Sequence, residues 1–486
     1  MALDGDWTDD GRPRIVERPR GPMSPLLTLA VTLALAAPDD DAPPPKATEG
    51  TDEVVDETPV EPVEDMTQGW SHTVLPNGME LTVLADPLLP VTATQTWVHV
   101  GGSHEAPDER GFAHLFEHMM FAATPTRDRG EYARFHTRIG GRRNAYTSYD
   151  ETVYVSAVPP VHHAHVLEME AERFSELIIG EEEMAKDRKI VTEELRLRSE
   201  NSAEDRLVTA LIRTLLAGHP YEHTPVGTKD DIAARTVDDA RRFYEAYYRP
   251  DHLHMVVVGP VDRAAVEASV VEQFGGMEPS GVMPPDVPAL TDIELPDRVK
   301  VKDKIPPVLA VGLAYPLPPR DHPDALIVSV MTQMLSGSEL DVFRERHLDE
   351  RSGIEAVTFH QQLKAGGILG FGSVHLPTAS GRRRLQALRK TVNTLGDRSW
   401  NTQEALNAVR RRVLMSEHFS VYYAESQARR IGQARWHLGD VEQAFDRTDR
   451  LAEVTTDDIA RVWQTWVAEA DPSEAIVRRG KAQEVE

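Results

Sequence analysis

Cysteine is absent from all 486 residues, which removes disulfides, thiolate metal sites, cysteine nucleophiles and an acylated lipoprotein cysteine together. Any metal centre must therefore use histidine and carboxylate ligands. No apolar run is long enough to cross a bilayer, so no integral membrane domain is expected. Excess positive charge is missing as well: 53 Lys and Arg stand against 79 Asp and Glu, a net charge of −26. That balance argues against nucleic acid as a partner and is compatible with cationic peptide substrates, a solvated, solubilising surface being the plainer explanation.

The acidity is uneven. Residues 38–66 hold 11 acidic residues, the single lysine Lys46 and six prolines. With so little apolar content to offset the entropy of ordering, the stretch reads as a disordered, extended linker. Upstream, Arg18, Arg20 and Met23 precede an apolar run over residues 24–37 that ends in Ala34-Leu35-Ala36. About a dozen apolar residues before a small-residue end fit a secretory segment better than a membrane span. Export to the periplasm or extracellular space is expected, with a membrane tether through residues 24–37 as the alternative and Met23 as a candidate start.

From Trp70 to Leu84, two alternating runs joined by Asn77-Gly78 predict a β-hairpin. A strand over Val91–Val100, a short apolar helix, a polar helix near Arg129–Arg138 and a second hairpin over Asn144–Val158 follow. Long helical patterns cover His162–Ile179 and Glu181–Leu216; strand His254–Val258 and helix Ala264–Phe274 close the unit. Five prolines after the Gly275-Gly276 break mark residues 277–297 as an interdomain linker. Strand Val308–Tyr315 and helix Asp324–Leu335 then echo the first domain's opening. The expected class is α+β: two similar domains of mixed or antiparallel sheet packed with helices, over residues 67–276 and 298–486, preceded by the signal-like segment 1–37 and the linker 38–66.

The most informative run is Gly111-Phe112-Ala113-His114-Leu115-Phe116-Glu117-His118-Met119-Met120-Phe121. On a helix, positions i and i+4 place both imidazoles on one face, and i+3 sets Glu117 beside them. Two neutral imidazoles from one turn suit Zn²⁺, and a nearby non-ligating glutamate can take a proton from the attacking water. The surrounding apolar residues leave little of this helix polar, so the three side chains are expected to face a half-buried pocket. An amphipathic helix with solvated polar residues is the bland alternative.

A catalytic zinc has three protein ligands, and the helical pattern from Glu181 is the place to seek the third. Glu193 and Glu194 compete. By helical spacing Glu194 shares a face with Val191, Ile190 and Asp187, whereas Glu193 shares one with Ile190, Lys189 and Lys186. Glu194 is the inward candidate, and Asp187 is placed to hydrogen-bond a ligand imidazole or the attacking water. A pair of solvated surface charges is the alternative.

These features, with Leu75-Pro76-Asn77-Gly78, Gly101-Gly102-Ser103 with Glu105, Asn144-Ala145-Tyr146-Thr147 with Asp150, Thr152 and Tyr154, and His219-Pro220-Tyr221, closely resemble the pitrilysin/insulinase metallopeptidases. The similarity is to the short two-domain members, like the subunits of mitochondrial processing peptidase. In that family the inverted zinc motif pairs with a glutamate about 75 residues downstream, and 75 residues lie between His118 and Glu194. The resemblance implies one Zn²⁺ per chain held by His114, His118 and Glu194, with Glu117 as general base. Asp187 stands where the family often has glutamate. The resemblance also implies a peptide substrate added as a strand along the edge that contains Asn144 and Ala145. Relatives can carry an Arg and a Tyr in the second domain that hold substrate; here Ala356 falls where that Tyr would. A homodimer or heterodimer with a homologous subunit is expected, the heterodimer favoured, because some short members divide the zinc and the Arg–Tyr pair between subunits. The function implied is a zinc endopeptidase; a non-catalytic peptide-binding or scaffold subunit is the alternative.

Overall fold

The structure is a computed structural model that describes residues 69–480, apart from 202, 304–307, 338–339 and 350–353. The signal-like segment and acidic linker lie outside the described residues. Strands β1 (Trp70–Val74) and β2 (Glu80–Ala85) form the first expected hairpin, turned at Gly78 with φ 89°. Then come β3 (Thr92–Val98), α1 (Phe112–Met119), α2 (Glu131–Ile139), β4 (Arg142–Thr147), β5 (Thr152–Val158), α3 (His163–Ser175), α4 (Glu181–Asn201) and α5 (Ala203–Leu215). Helices α6 (Lys229–Ala234), α7 (Val237–Tyr247), strand β6 (Leu253–Gly259) and α8 (Arg263–Phe274) complete the first half. Neither α6 nor α7 is foreseen by apolar periodicity, yet each opens on a Thr-x-x-Asp capping box, Thr228 with Asp231 and Thr236 with Asp239. In each box the hydroxyl accepts from the Asp N–H and the carboxylate accepts from the Thr N–H, satisfying donors that a helix start leaves open.

The second half contains β7 (Arg298–Asp303), β8 (Leu309–Leu317), α9 (Ala325–Leu335), the short ribbon β9 (Ser336–Gly337) with β10 (Leu340–Asp341), and α10 (Val342–Asp349). Strands β11 (Glu355–Leu363) and β12 (Gly366–His375), helices α11 (Gly381–Thr394), α12 (Gln403–Ser420), α13 (Ala424–Leu438), α14 (Arg447–Glu453) and α15 (Thr456–Trp463), and strand β13 (Ser473–Arg479) follow. The first sheet runs β1-β2-β6-β3-β5-β4 and the second β11-β12-β8-β13-β7. Read from the hairpin edge, β4-β5-β3-β6-β2 and β11-β12-β8-β13-β7 have one topology. Each is antiparallel until its last pair, β6 with β2 and β13 with β7, which is parallel. The architecture is therefore a two-domain α+β repeat with mixed sheets. Among the described residues no helix is long and apolar enough to cross a membrane.

Both faces of the first sheet are covered, which accounts for the unbroken burial of β3, β5 and β6. Met255 and Val257 join the core around α1, while Val256 and Val258 turn to the opposite face. That opposite face is covered by α13, from the second half of the chain, through Ala424, Ala428, Ile431 and Ala434. In return α5, from the first half, sets Ala210 and Leu211 against Val301 and Val477 of the second sheet. The halves thus exchange a helix, something a linear division of the chain does not reveal. A methyl group on Gly432 of α13 would lie 2.1 Å from the ring of the fully buried Trp97.

The β4–β5 turn is clamped from the second domain. Asp150 accepts from the Tyr221 hydroxyl at 2.7 Å and from the Lys364 backbone N–H at 2.9 Å. The same Tyr221 oxygen accepts from Ala365 N–H at 3.0 Å, and Trp436 Nε1 donates to the Asp150 carbonyl at 3.0 Å. Glu151 is buried beside these groups, its Oε2 3.5 Å from His437 Nε2. Burial, reinforced by Asp150, pushes the Glu151 carboxyl up to about 7.

Two outcomes are expected. Gly432→Ala forces Trp97 or α13 to shift and destabilises the fold by about 1–3 kcal/mol in denaturant titrations. Because the folded chain keeps the Glu151 proton to higher pH than the unfolded chain, this group lowers stability as pH rises from about 4.5 to about 7. Glu151→Gln should remove a loss on the order of 3 kcal/mol, so the gap in Tm in favour of the variant widens across that window; a gap independent of pH would contradict the assignment.

Candidate metal centre

Helix α1 is short, and its placement is set at both its start and its flank. Gly111 adopts φ 87°, a left-handed conformation that glycine accepts without steric cost. The buried Glu105 carboxylate accepts from Gly111 N–H at 2.8 Å and Ala113 N–H at 2.7 Å, closing two of the helix's open donors. Burial pushes the Glu105 carboxyl well up, against the pull of those two N–H groups. Phe116 stacks on Phe243 at 5.2 Å and meets Tyr248 at 5.1 Å, while Leu115 and Met119 are fully buried. With these residues committed to the core, His114, Glu117 and His118 share the remaining face.

The third side chain comes from α4. Met184, Asp187 and Val191 form its buried stripe, and Leu195 packs on the same core. Ile190, which spacing alone sets beside Glu194, is instead half exposed, because the buried stripe is narrow and Ile190 lies past its edge. Glu193 points outward and pairs with Arg196 at 2.7 Å, leaving Glu194 as the inward carboxylate. Glu194 Oε2 stands 3.6 Å from His114 Nε2 and 3.5 Å from His118 Nε2. The two imidazole rings are 4.9 Å apart at 76°. Ligands at about 2.1 Å from one zinc ion at tetrahedral angles are separated by about 3.4 Å. Two imidazoles and one carboxylate at these separations fit a single Zn²⁺ with a fourth position open.

Glu117 is beside this triangle without closing it. Its Oε2 is 4.0 Å from His114 Nε2 and accepts from Thr147 Oγ1 at 2.7 Å. Burial opposes a proton on His118, but Glu194, Glu117 and Asp187 outweigh it and raise its pKa above the ordinary histidine value. The same negative potential favours a divalent cation. Asp187 is buried, and both its oxygens are engaged by Arg129, one of them at 3.1 Å. Burial raises the Asp187 pKa, with Arg129 pulling the other way. Where an imidazole or water partner is expected for Asp187, its oxygens are taken by Arg129, a group that carries no sequence signal.

Asn144 and Ala145 lie on β4, the edge of the first sheet, with Asn144 exposed and Ala145 half buried. Among the described strands β4 pairs only with β5. Thr147, at the other end of β4, belongs to the Asn-Ala-Tyr-Thr run, yet sequence reasoning assigns it no role; its bond to Glu117 emerges only from the packing of α1 against β4. In the second domain Ala356 is buried on β11 opposite Ser373, and Arg344 sits 3.4 Å from Glu355. The helix equivalent to α1, α9, carries neither His nor Glu.

Among the described residues, two other clusters combine histidine with carboxylates. His72, Glu80 and His254 converge, but Arg435 holds Glu80 through two bonds of 2.5 Å, and both imidazoles bond Thr82 Oγ1. Asp150, Glu151 and His437 belong to the interdomain clamp. The carboxylate of the first is thus held by an arginine, and the second lies within the packed interface between the domains.

Comparison with known proteins places the two halves of the chain in one family. Residues 84–229 match the family described as Insulinase (Peptidase family M16), and residues 235–413 match the Peptidase M16 inactive domain. Zinc protease PqqE of Helicobacter pylori is 27% identical over 332 residues, covering 66% of this chain and 72% of that protein. The uncharacterized zinc protease YmxG of Bacillus subtilis is 25% identical over 320 residues, covering 65% and 75% respectively. The crystal structure of a protease from Helicobacter pylori shares the fold with a TM-score of 0.74 at 22% identity, over 85% of this chain and 99% of that one. The chain belongs to the insulinase family, peptidase family M16, and joins a domain of the insulinase type to one of the inactive-domain type.

Proposed function

We propose that this chain is a zinc-dependent endopeptidase acting on peptides or unfolded protein segments. The observation that carries the reading is the spacing of 3.5–3.6 Å between Glu194 and the two imidazoles, with Glu117 beside them. His114, His118 and Glu194 would hold one Zn²⁺, which when bound activates water and polarises a carbonyl. Glu117 accepts the proton of the attacking water and returns it to the leaving amine. Thr147 fixes the Glu117 carboxylate through its 2.7 Å bond, so that the base does not swing away between the two transfers. Arg129 holds both oxygens of Asp187, whose charge acts on His118 at longer range and favours a cation there. The free edge of β4 offers main-chain groups on which a peptide can add as a strand, at Asn144 and Ala145.

The chain is further read as one half of a pair with a homologous subunit, a heterodimer favoured, on the support of Ala356 standing where relatives carry a substrate-holding Tyr. Export to the periplasm or extracellular space is supported by the apolar run over residues 24–37. A non-catalytic scaffold is the alternative, and the complete donor set speaks against it.

Purified chain should contain one zinc per protomer by elemental analysis and lose peptide cleavage on chelation. Glu117→Gln should keep that zinc and lose turnover of a quenched peptide by at least about a hundredfold, whereas His114→Ala should lose the metal. Undiminished turnover in Glu117→Gln would sink the assignment. Thr147→Val should retain zinc and lower kcat about tenfold with KM little changed, Thr147→Ser restoring it; equal losses in both variants would mean that the hydroxyl is not what matters.

A further inference from the structure

Strand β4 carries a positive charge that the zinc chemistry does not use. It reads Arg142-Arg143-Asn144-Ala145-Tyr146-Thr147, and strand alternation divides these side chains between two faces. Arg142 turns toward α13, 3.6 Å from Glu425, and Tyr146 meets Trp97 edge-on at 6.4 Å on that same side. Arg143, Ala145 and Thr147 take the α1 side. Thr147 bonds Glu117, Ala145 packs on the core around α1, and the Arg143 guanidinium lies 5.0 Å from the ring centroid of Phe121, just past the end of α1.

Arg143 is exposed. Glu170 is paired with Arg173, whose guanidinium lies over the same Phe121 ring. Among the described residues no carboxylate is paired with Arg143; it rests on an aromatic face, which holds the guanidinium in place without neutralising it. Four residue steps along the strand carry the chain from it to Thr147, about 13 Å at the usual rise. A peptide added along β4 advances by the same step, so the side chain that meets Arg143 stands about three to five residues from the bond beside Glu117.

We propose that Arg143 is a specificity-determining residue that selects substrates with Asp or Glu about three to five residues to one side of the cleaved bond. The inference rests on the peptidase reading and on substrate lying along β4. It runs against the chain's net charge of −26, which steers cationic peptides at long range. Arg143 acts at contact distance, where the nearest unpaired charge counts most.

The test uses the zinc-loaded full chain and a set of quenched peptides in which a single Glu, Gln or Lys is walked over five residues on each side of one cleavable bond. Wild type should favour Glu over Gln about fivefold in kcat/KM at one position in the stated window at low salt, with the preference shrinking at high salt. In Arg143→Gln that ratio should fall to about one, and Arg143→Glu should prefer Lys there. Cleavage in which the ratio at every position is the same for wild type and Arg143→Gln would overturn the assignment of Arg143 and leave the peptidase reading standing. No cleavage above the Glu117→Gln background would overturn both.

Discussion

The whole site depends on two helices from distant parts of the chain meeting closely enough for two nitrogens and an oxygen to stand about one zinc coordination sphere apart. Nothing in either helix enforces this locally. It is enforced by the aromatic core under α1, where Phe116 is held among Phe243, Tyr244 and Tyr248, and by Met184 and Val191, which bury α4 against the same core. A closely packed interior resists sub-ångström shifts, so the three side chains inherit their spacing from apolar packing. Glu105 adds a polar stop by binding the first N–H groups of α1 and fixing where the helix begins.

Imidazoles and carboxylates brought together half-buried have lost part of their hydration and need compensation. The site arranges that compensation in layers. Glu194 and Glu117 raise the affinity of His118 for a positive charge, Arg129 offsets Asp187, and Thr147 satisfies one oxygen of Glu117. A dication in the triangle would complete the balance, because it supplies the positive charge that a proton on His118 otherwise supplies.

The second domain repeats the sheet topology, its α9 carrying neither His nor Glu, and it packs against the first. Its β11–β12 turn holds Asp150 directly through Lys364 and by way of Tyr221 through Ala365, and α13 covers the back of the first sheet with Trp436 bound to Asp150 in the β4–β5 turn. The strand that presents Thr147 and Arg143 leads directly into that turn. The two halves exchange helices because each sheet has two apolar faces, and its own half covers only one of them.

Much of this was legible in the sequence because it depends on short-range regularities. The pentad's spacing placed His114, Glu117 and His118 on one helical face, Asn77-Gly78 marked a hairpin, and the order of elements revealed an α+β repeat. Stripe reasoning separated Glu194 from Glu193, although it misplaced Ile190, since helical spacing gives direction but not the width of the face that a neighbour covers. The capping boxes of α6 and α7 were equally readable, and apolar periodicity passed over them because those helices are short. What no local pattern contains is which groups meet across large separations: Arg129 on Asp187, Thr147 on Glu117, the swap of α5 and α13, and the clamp on Asp150. Those contacts follow from how two sheets stack and which faces remain uncovered, a property of the packed chain as a whole rather than of any window along it.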